Sequence, residues 1–307
     1  MKRVDRGEDG ILAQCGEDRI LAKLTRGIRR GAGVRVGIGD DCAVIGGRRD
    51  RVWRLLKTDA VVEGIHFLPE SPPAWVGWKA MARPISDIAS MGGLPEYALV
   101  TIAISPRAEM DYLQGIYSGI KRAARRFAVE LVGGEMSRSP GPTFLSISLT
   151  GVVERARCAT RSGGRPGDLL YVTGRLGGSG RGKHLRFIPR VEEGRWLTGN
   201  FAIRAMMDLS DGLGSDLPRL ARAGGTGFEI LRENLPCTKG CSVSDAISDG
   251  EDYELLLAVS PKDAPRLETT WKKRFPRLKL TRIGKLTPFS KKQPGLRRGH
   301  DHFSQPG

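Results

Sequence analysis

Six short acidic islands are spread along this chain: Gly39-Asp40-Asp41, Thr58-Asp59, Ser86-Asp87, Gly134-Glu135, Asp208-Leu209-Ser210-Asp211 and Gly250-Glu251-Asp252. Carboxylates beside Gly, Ser or Thr suit a site that gathers hard cations around a polyphosphate. Magnesium takes oxygen ligands in octahedral geometry, keeps several waters, and is held by one or two carboxylates at a time together with substrate phosphates. Aspartate next to Gly or Ser is also ordinary turn and helix-cap chemistry, so one island alone reads as a cap. Three islands, however, end apolar runs: Leu55-Leu56 before Thr58-Asp59, Leu131-Val132 before Gly133-Gly134-Glu135, and Ala205-Met206-Met207 before Asp208. Buried strands that each deliver a charge at one end are costly unless those charges are paired or coordinate something. The pattern points to a magnesium-nucleotide enzyme.

The elements that must position these residues follow from periodicity. Helical spacing of apolar residues predicts helices over 11–24, 75–91, 110–127 and 213–223. Short β-rich runs predict strands over 52–58, 97–104, 130–132, 144–153, 169–173 and 253–259. Strands and helices alternate, so the class is α/β to α+β with mixed sheets. A length of 307 residues favours two domains. The Gly- and Pro-rich basic seam from Arg161 to Asp168 places the boundary near residue 155, giving domains 1–155 and 156–307. The tail from Pro288 onward is basic, poor in apolar residues and expected to be an exposed extension.

Hydrophobic residues make up 39% and charged residues 27%, a balance that excludes a disordered chain. No apolar stretch reaches the ~20 residues of a membrane helix, and the N-terminus has no apolar core of a signal peptide. A cytoplasmic address is therefore expected, with Cys15, Cys42, Cys158, Cys237 and Cys241 reduced. Cys237 and Cys241 resemble half of a zinc site, but no second pair with ligand spacing accompanies them. The formal charge is +16, from 50 basic and 34 acidic residues. Nucleic-acid binders cluster such charge or interleave it with aromatics. Here it is diffuse and aromatics are 6%, so a generally basic proteome or attraction of phosphorylated substrates is the preferred explanation.

Two glycine-rich runs are candidates for phosphate binding. Gly177 to Lys183 satisfies the start of a P-loop, but His184 stands where a hydroxyl should reach magnesium. Gly133-Gly134-Glu135, read as a strand end, would let backbone N–H groups approach a phosphate, with a carboxylate following for the metal and Arg138 nearby.

Taken together, the chain resembles the thiamine-monophosphate kinases, of the superfamily that includes aminoimidazole ribonucleotide synthetase and selenophosphate synthetase. The resemblance rests on Gly37-Ile38-Gly39-Asp40-Asp41, Thr58-Asp59 with Glu63-Gly64-Ile65-His66-Phe67, Ser86-Asp87-Ile88-Ala89-Ser90-Met91-Gly92, Arg161-Ser162-Gly163, Asp208-Leu209-Ser210-Asp211-Gly212 and Gly250-Glu251-Asp252-Tyr253-Glu254-Leu255. It implies an N-terminal domain that binds ATP and magnesium and dimerises, its strands closing a barrel across a homodimer interface, and a C-terminal α+β domain. By the same resemblance Asp41, Thr58, Asp59, Asp87, Glu135, Asp208 and Asp211 are magnesium ligands, and Tyr97, Gly134, Glu135, Arg161 and Ser210 contact ATP. His66, Glu251 and His300 would contact thiamine phosphate. Catalysis would rest on Asp59, Asp211 and Arg161, with several Mg2+ ions and ATP as co-substrate, and neither a specific nucleic acid nor a membrane as partner.

The implied reaction passes the ATP γ-phosphoryl group directly to the phosphate of thiamine monophosphate, where positioning and charge neutralisation supply most of the catalysis. Alternatives are a related ATP-dependent enzyme with another phosphorylated substrate, or a non-catalytic basic binding protein. Departures from the family pattern bear on the metal count and the acceptor pocket. Lys57 replaces a usual Ser, on the same strand face as Asp59; Glu135 replaces Asp, Pro84 replaces Asn, and His300 replaces an aromatic residue. The stretch between Gly182 and Arg204 is also short for the family.

Overall fold

The computed structural model describes residues 16–290, 295–296 and 299. His300, Cys15 and the first five residues of the helix expected over 11–24 lie outside them. The remainder of that helix forms as α1 (Glu17–Leu24).

Two sheets organise the chain. The first has the order β1 (Val34–Val36), β2 (Ala43–Ile45), β3 (Val52–Val62), β6 (Phe144–Glu154), β4 (Leu94–Ile104) and β5 (Glu130–Arg138). All its pairs are antiparallel except β4 with β5. Helices α2 (Pro73–Ser90) and α3 (Met110–Arg126) cover one face, burying Leu55, Val100, Ile102, Leu145 and Ile147 against Met81, Ile85, Ile88 and Ile120. The opposite face carries exposed Leu56, Tyr97 and Leu99. Within one chain this sheet is open, with β1 and β5 at its edges. No closed barrel forms among the described residues.

The second sheet is fully antiparallel, in the order β8 (Ala205–Asp208), β10 (Leu255–Val259), β7 (Leu169–Thr173), β11 (Leu280–Thr287) and β9 (Gly227–Ile230). Helices α4 (Val191–Asn200) and α7 (Ala264–Arg274) pack on one face through Leu197, Leu267 and Trp271. Helices α5 (Leu213–Ala223) and α6 (Val243–Ser248) pack on the other through Leu213, Leu217, Ala246 and Ile247. Because both faces are covered, β8 and β10 are apolar throughout rather than alternating, apart from the aspartate that ends β8. Charge at that strand end is then a deliberate burial.

Helix α2 joins the two halves. Pro73 opens it where a missing N–H costs no helical bond. Gly77 and Gly119 allow it to touch α3 backbone to backbone, since a Cβ at Gly77 would lie 1.9 Å from the Ile116 carbonyl oxygen. Near its other end, Gly194 of α4 meets the Ala89 carbonyl, where a Cβ would approach to 2.3 Å. This close packing carries Ser86, Asp87 and Ser90 into the cleft between the sheets.

Two strands run well past their expected C-terminal ends. β3 continues to Val62 because Val61 turns back into the core after the polar Lys57-Thr58-Asp59 segment. β5 continues through Gly133 and Gly134 to Arg138, paired in parallel with β4 from Tyr97 to Ile104. The expected strand end at Val132 is therefore corrected: glycine is a poor strand former, but pairing with β4 carries the chain through. A Cβ at Gly134 would lie 1.9 Å from the Val100 carbonyl, so close approach of the two strands requires glycine there.

Candidate active site

Four carboxylates converge in the cleft from separate elements: Asp41 from the turn before β2, Asp59 from β3, Asp87 from α2 and Asp208 from the end of β8. Oxygens of Asp41, Asp87 and Asp208 lie within 4.8 Å of one another, and all three residues are buried. Each is held in place. Ser90 Oγ donates to Asp41 Oδ2 and Ser86 Oγ donates to Asp208 Oδ2, both at 2.6 Å. Arg161 Nε donates to Asp41 Oδ1 at 3.1 Å, and its Nη2 pairs with the same oxygen. Lys57 Nζ lies 2.7 Å from Asp87 Oδ1 and 3.9 Å from Asp59 Oδ1. Arg83 reaches Asp59 at 3.9 Å and donates from Nη1 to the Ala60 carbonyl at 2.9 Å, while its buried Nε has no hydrogen-bond partner among the described residues.

The electrostatics show a surplus of negative charge. Burial, then the charge of Asp41, pushes Asp208 up to about 7. Burial also raises Asp87 well above the carboxylate range, although Lys57 pulls the other way. For Lys57, burial works against the charge, but Asp87 and Asp59 override it and hold the ammonium above its ordinary range. Crowded carboxylates of this kind are what a hard divalent cation relieves, and their all-oxygen donor set fits magnesium.

A second polar cluster lies nearby, around Lys79 of α2, whose side chain is wholly buried. Its Nζ donates to the His66 carbonyl at 2.5 Å, pairs with Glu251 Oε1 at 2.6 Å and lies 2.7 Å from His184 Nδ1. The same Nδ1 is 3.0 Å from Glu251 Oε2. Burial lowers Lys79 to about 8 despite Glu251. Burial opposes ionisation of Glu251 too, but the His184 hydrogen bond and the Lys79 charge hold its carboxyl down to about 2. Glu251 and Tyr253 both have positive φ, 63° and 51°, which side chains other than glycine rarely adopt. Their backbone is fixed by hydrogen bonds from Glu251 N to the Ser210 carbonyl and from Tyr253 N to the Leu209 carbonyl. Strain held by its surroundings is a recurrent feature of ligand-binding segments. His66 sits in the turn after β3, where its Nδ1 accepts from the Val62 N–H at 3.1 Å.

The candidate residues from the sequence fall in four places. Asp41, Asp59, Asp87, Asp208 and Arg161 share the cleft. Thr58 does not join Asp59: its hydroxyl lies 3.3 Å from those of Ser146 and Ser148 on the open face of the first sheet, because neighbouring strand residues point to opposite sides. Tyr97, Gly134 and Glu135 are exposed on the adjoining β4 and β5. His66 and Glu251 meet around Lys79, while Ser210 leads to Asp211, which is bound by Arg219 beside the fully buried Asp216 rather than by the carboxylate trio. The Gly177–Lys183 run is no phosphate cradle. The Gly177 and Gly178 N–H groups donate to Asp252 and Asp249, and Lys183 pairs with Asp252 at 2.8 Å.

Sequence reasoning missed Lys79, Arg83, His184, Asp216 and Arg219. A single lysine inside the apolar run Val76 to Ala82 was a readable signal, since such a position is buried and a buried ammonium needs partners. His184 had none, because the fold alone brings it to Lys79.

The chain belongs to the class defined by the AIR synthase related proteins: residues 39–153 match the family "AIR synthase related protein, N-terminal domain" and residues 165–293 its C-terminal counterpart. Within that class it belongs to the thiamine-monophosphate kinase family. The thiamine-monophosphate kinase of Rhodopirellula baltica is 36% identical over 288 residues, 88% of this chain and 89% of the relative. The solved structure "AaThiL complexed with AMPPCP and TMP" superposes with a TM-score of 0.80 at 30% identity, covering 94% of this chain and 97% of that one. The thiamine monophosphate kinase structure from Aquifex aeolicus gives a TM-score of 0.72 at 29% identity, covering 92% and 97%.

Proposed function

We propose that this protein is an ATP-dependent kinase that converts thiamine monophosphate to thiamine diphosphate. Membership of the family and the likeness to a structure holding AMPPCP and TMP support this reading. The observation that carries it is the convergence of Asp41, Asp87 and Asp208 at one point, beside a second cluster suited to a cationic, phosphorylated acceptor.

Asp41, Asp87 and Asp208 would hold magnesium, with Asp59 at their side; the bound ions would shield the phosphates and neutralise charge as the γ-phosphoryl group moves. Arg161 and Arg83 add fixed guanidinium charge at the same place. Asp211 and Ser210 would serve from the adjoining turn, Arg161 contacting ATP together with Ser210. Tyr97 on β4, with Gly134 and Glu135 on edge strand β5, would contact the nucleotide. His66 and Glu251 would receive the acceptor, the Glu251 carboxylate facing its positive charge, and His300 would complete the pocket.

A homodimer is part of the proposal. Leu56, Tyr97 and Leu99 are exposed on the open face of the first sheet, a patch of large apolar side chains left in water. A second copy seated there would cover them and complete a barrel across the interface. No helix of the described residues is long and apolar enough to cross a membrane.

The acceptor assignment is tested by calorimetry. His66→Ala and Glu251→Ala should each weaken thiamine monophosphate binding by about tenfold or more while leaving ATP affinity nearly unchanged, as loss of a ligand-specific contact requires. Equal loss for both ligands would point to misfolding, and no loss of either would move the acceptor elsewhere.

A further inference from the structure

Among the described residues, Lys57 is the one lysine in the carboxylate cleft, and its place there is fixed by the fold. It lies mid-strand in β3, opposite Leu149 of β6, so its side chain projects towards α2 on the same side as Asp59. Only about a fifth of that side chain is exposed. Its ammonium contacts Asp87, which also belongs to the trio with Asp41 and Asp208.

Charge can be counted directly. With every carboxylate ionised, as when a cation is bound, Asp41, Asp59, Asp87 and Asp208 bring four negative charges; Lys57, Arg83 and Arg161 bring three positive charges beside them, leaving one negative charge among these seven groups. An ammonium has three donors and no lone pair, so Lys57 cannot ligate a metal. Where its nitrogen stands between Asp59 and Asp87, a divalent ion cannot stand as well.

We infer that Lys57 is a built-in cation that takes the place of one divalent ion on the Asp59–Asp87 side of the cleft, leaving the Asp41–Asp87–Asp208 side as the metal position. The inference rests on the proposal that this cleft binds metal-nucleotide. Its consequence is a protein that needs fewer bound ions than the same site with a neutral residue at 57. The charge is supplied by the strand itself and does not depend on magnesium concentration.

The test counts manganese, a spectroscopic substitute for magnesium, bound to the purified chain with AMPPCP, reading free Mn2+ by electron paramagnetic resonance. Lys57→Ser should bind one more Mn2+ per chain than the parent, and Lys57→Gln should do the same. Lys57→Arg keeps the fixed charge and should keep the parent's count. In a parallel thermal melt with chelator, Lys57→Ser should unfold at lower temperature than the parent and recover most of that loss when Mg2+ is added. Equal Mn2+ counts in the parent and in folded Lys57→Ser and Lys57→Gln would overturn the inference, whatever the parent's own count. Failure of the broader reading appears separately, as a parent Mn2+ count unchanged by Asp208→Asn.

Discussion

Asp59→Asn is expected to lower the rate of phosphoryl transfer at least ~100-fold, the scale of loss when one preorganised electrostatic group is removed from a reacting centre. The substitution keeps shape and removes charge. Asp59 is the carboxylate that Lys57 and Arg83 share, at 3.9 Å from each, so without it two cations face the cleft with less to balance them. The altered site would hold metal more weakly and misplace Arg83. Steady-state rates across a magnesium titration check this, and a near-normal rate at low magnesium would remove Asp59 from the reacting centre.

The second large effect is expected at Lys79. Lys79→Met removes a wholly buried ammonium and leaves Glu251 with His184 and the Tyr253 hydroxyl. Breaking a buried ion pair from one side costs about 3–5 kcal/mol when the remaining charge stays wholly buried and uncompensated; Glu251 keeps the His184 contact and is 26% exposed, so the loss should fall at or below the lower end. The pH dependence has a definite sign. The folded-state Glu251 carboxyl, held at about 2 against an ordinary 4.5, contributes stability that is complete above pH 4.5 and disappears as pH falls through about 2. In Lys79→Met the opposing burial dominates, so the Glu251 contribution should shrink or reverse above pH 4.5. Denaturant midpoints of both proteins from pH 3 to 7 measure it; parallel curves would mean that Lys79 does not hold Glu251 ionised.

Much of the cleft was legible because its chemistry is local in sequence. The apolar run Ala205-Met206-Met207 ending in Asp208 reads as a buried strand delivering a charge, and β8 ends there. Residues 169–173 and 213–223 match β7 and α5 to the residue, since each has clear periodicity between strong breakers. Other features depend on long-range pairing. β5 passes through two glycines only because β4 lies beside it. Thr58 and Asp59 look like one ligand pair in sequence, yet the strand pleat sends them to opposite faces. The short β1, β2 and β9 and the polar β11 lack the contrast that reveals a strand before its partners are known. Lys79 and His184 are 105 residues apart, and only packing of α2 against the second half of the chain joins them.

The central claim is most directly tested by following product formation. The purified chain is incubated with ATP, Mg2+ and thiamine monophosphate, and thiamine diphosphate is quantified by chromatography, with thiamine and pyridoxine as control acceptors. The account predicts ATP- and magnesium-dependent thiamine diphosphate, one ADP released per diphosphate formed, and no product from either control. ATP turnover with a control acceptor, or no diphosphate from protein shown to be folded, would contradict it.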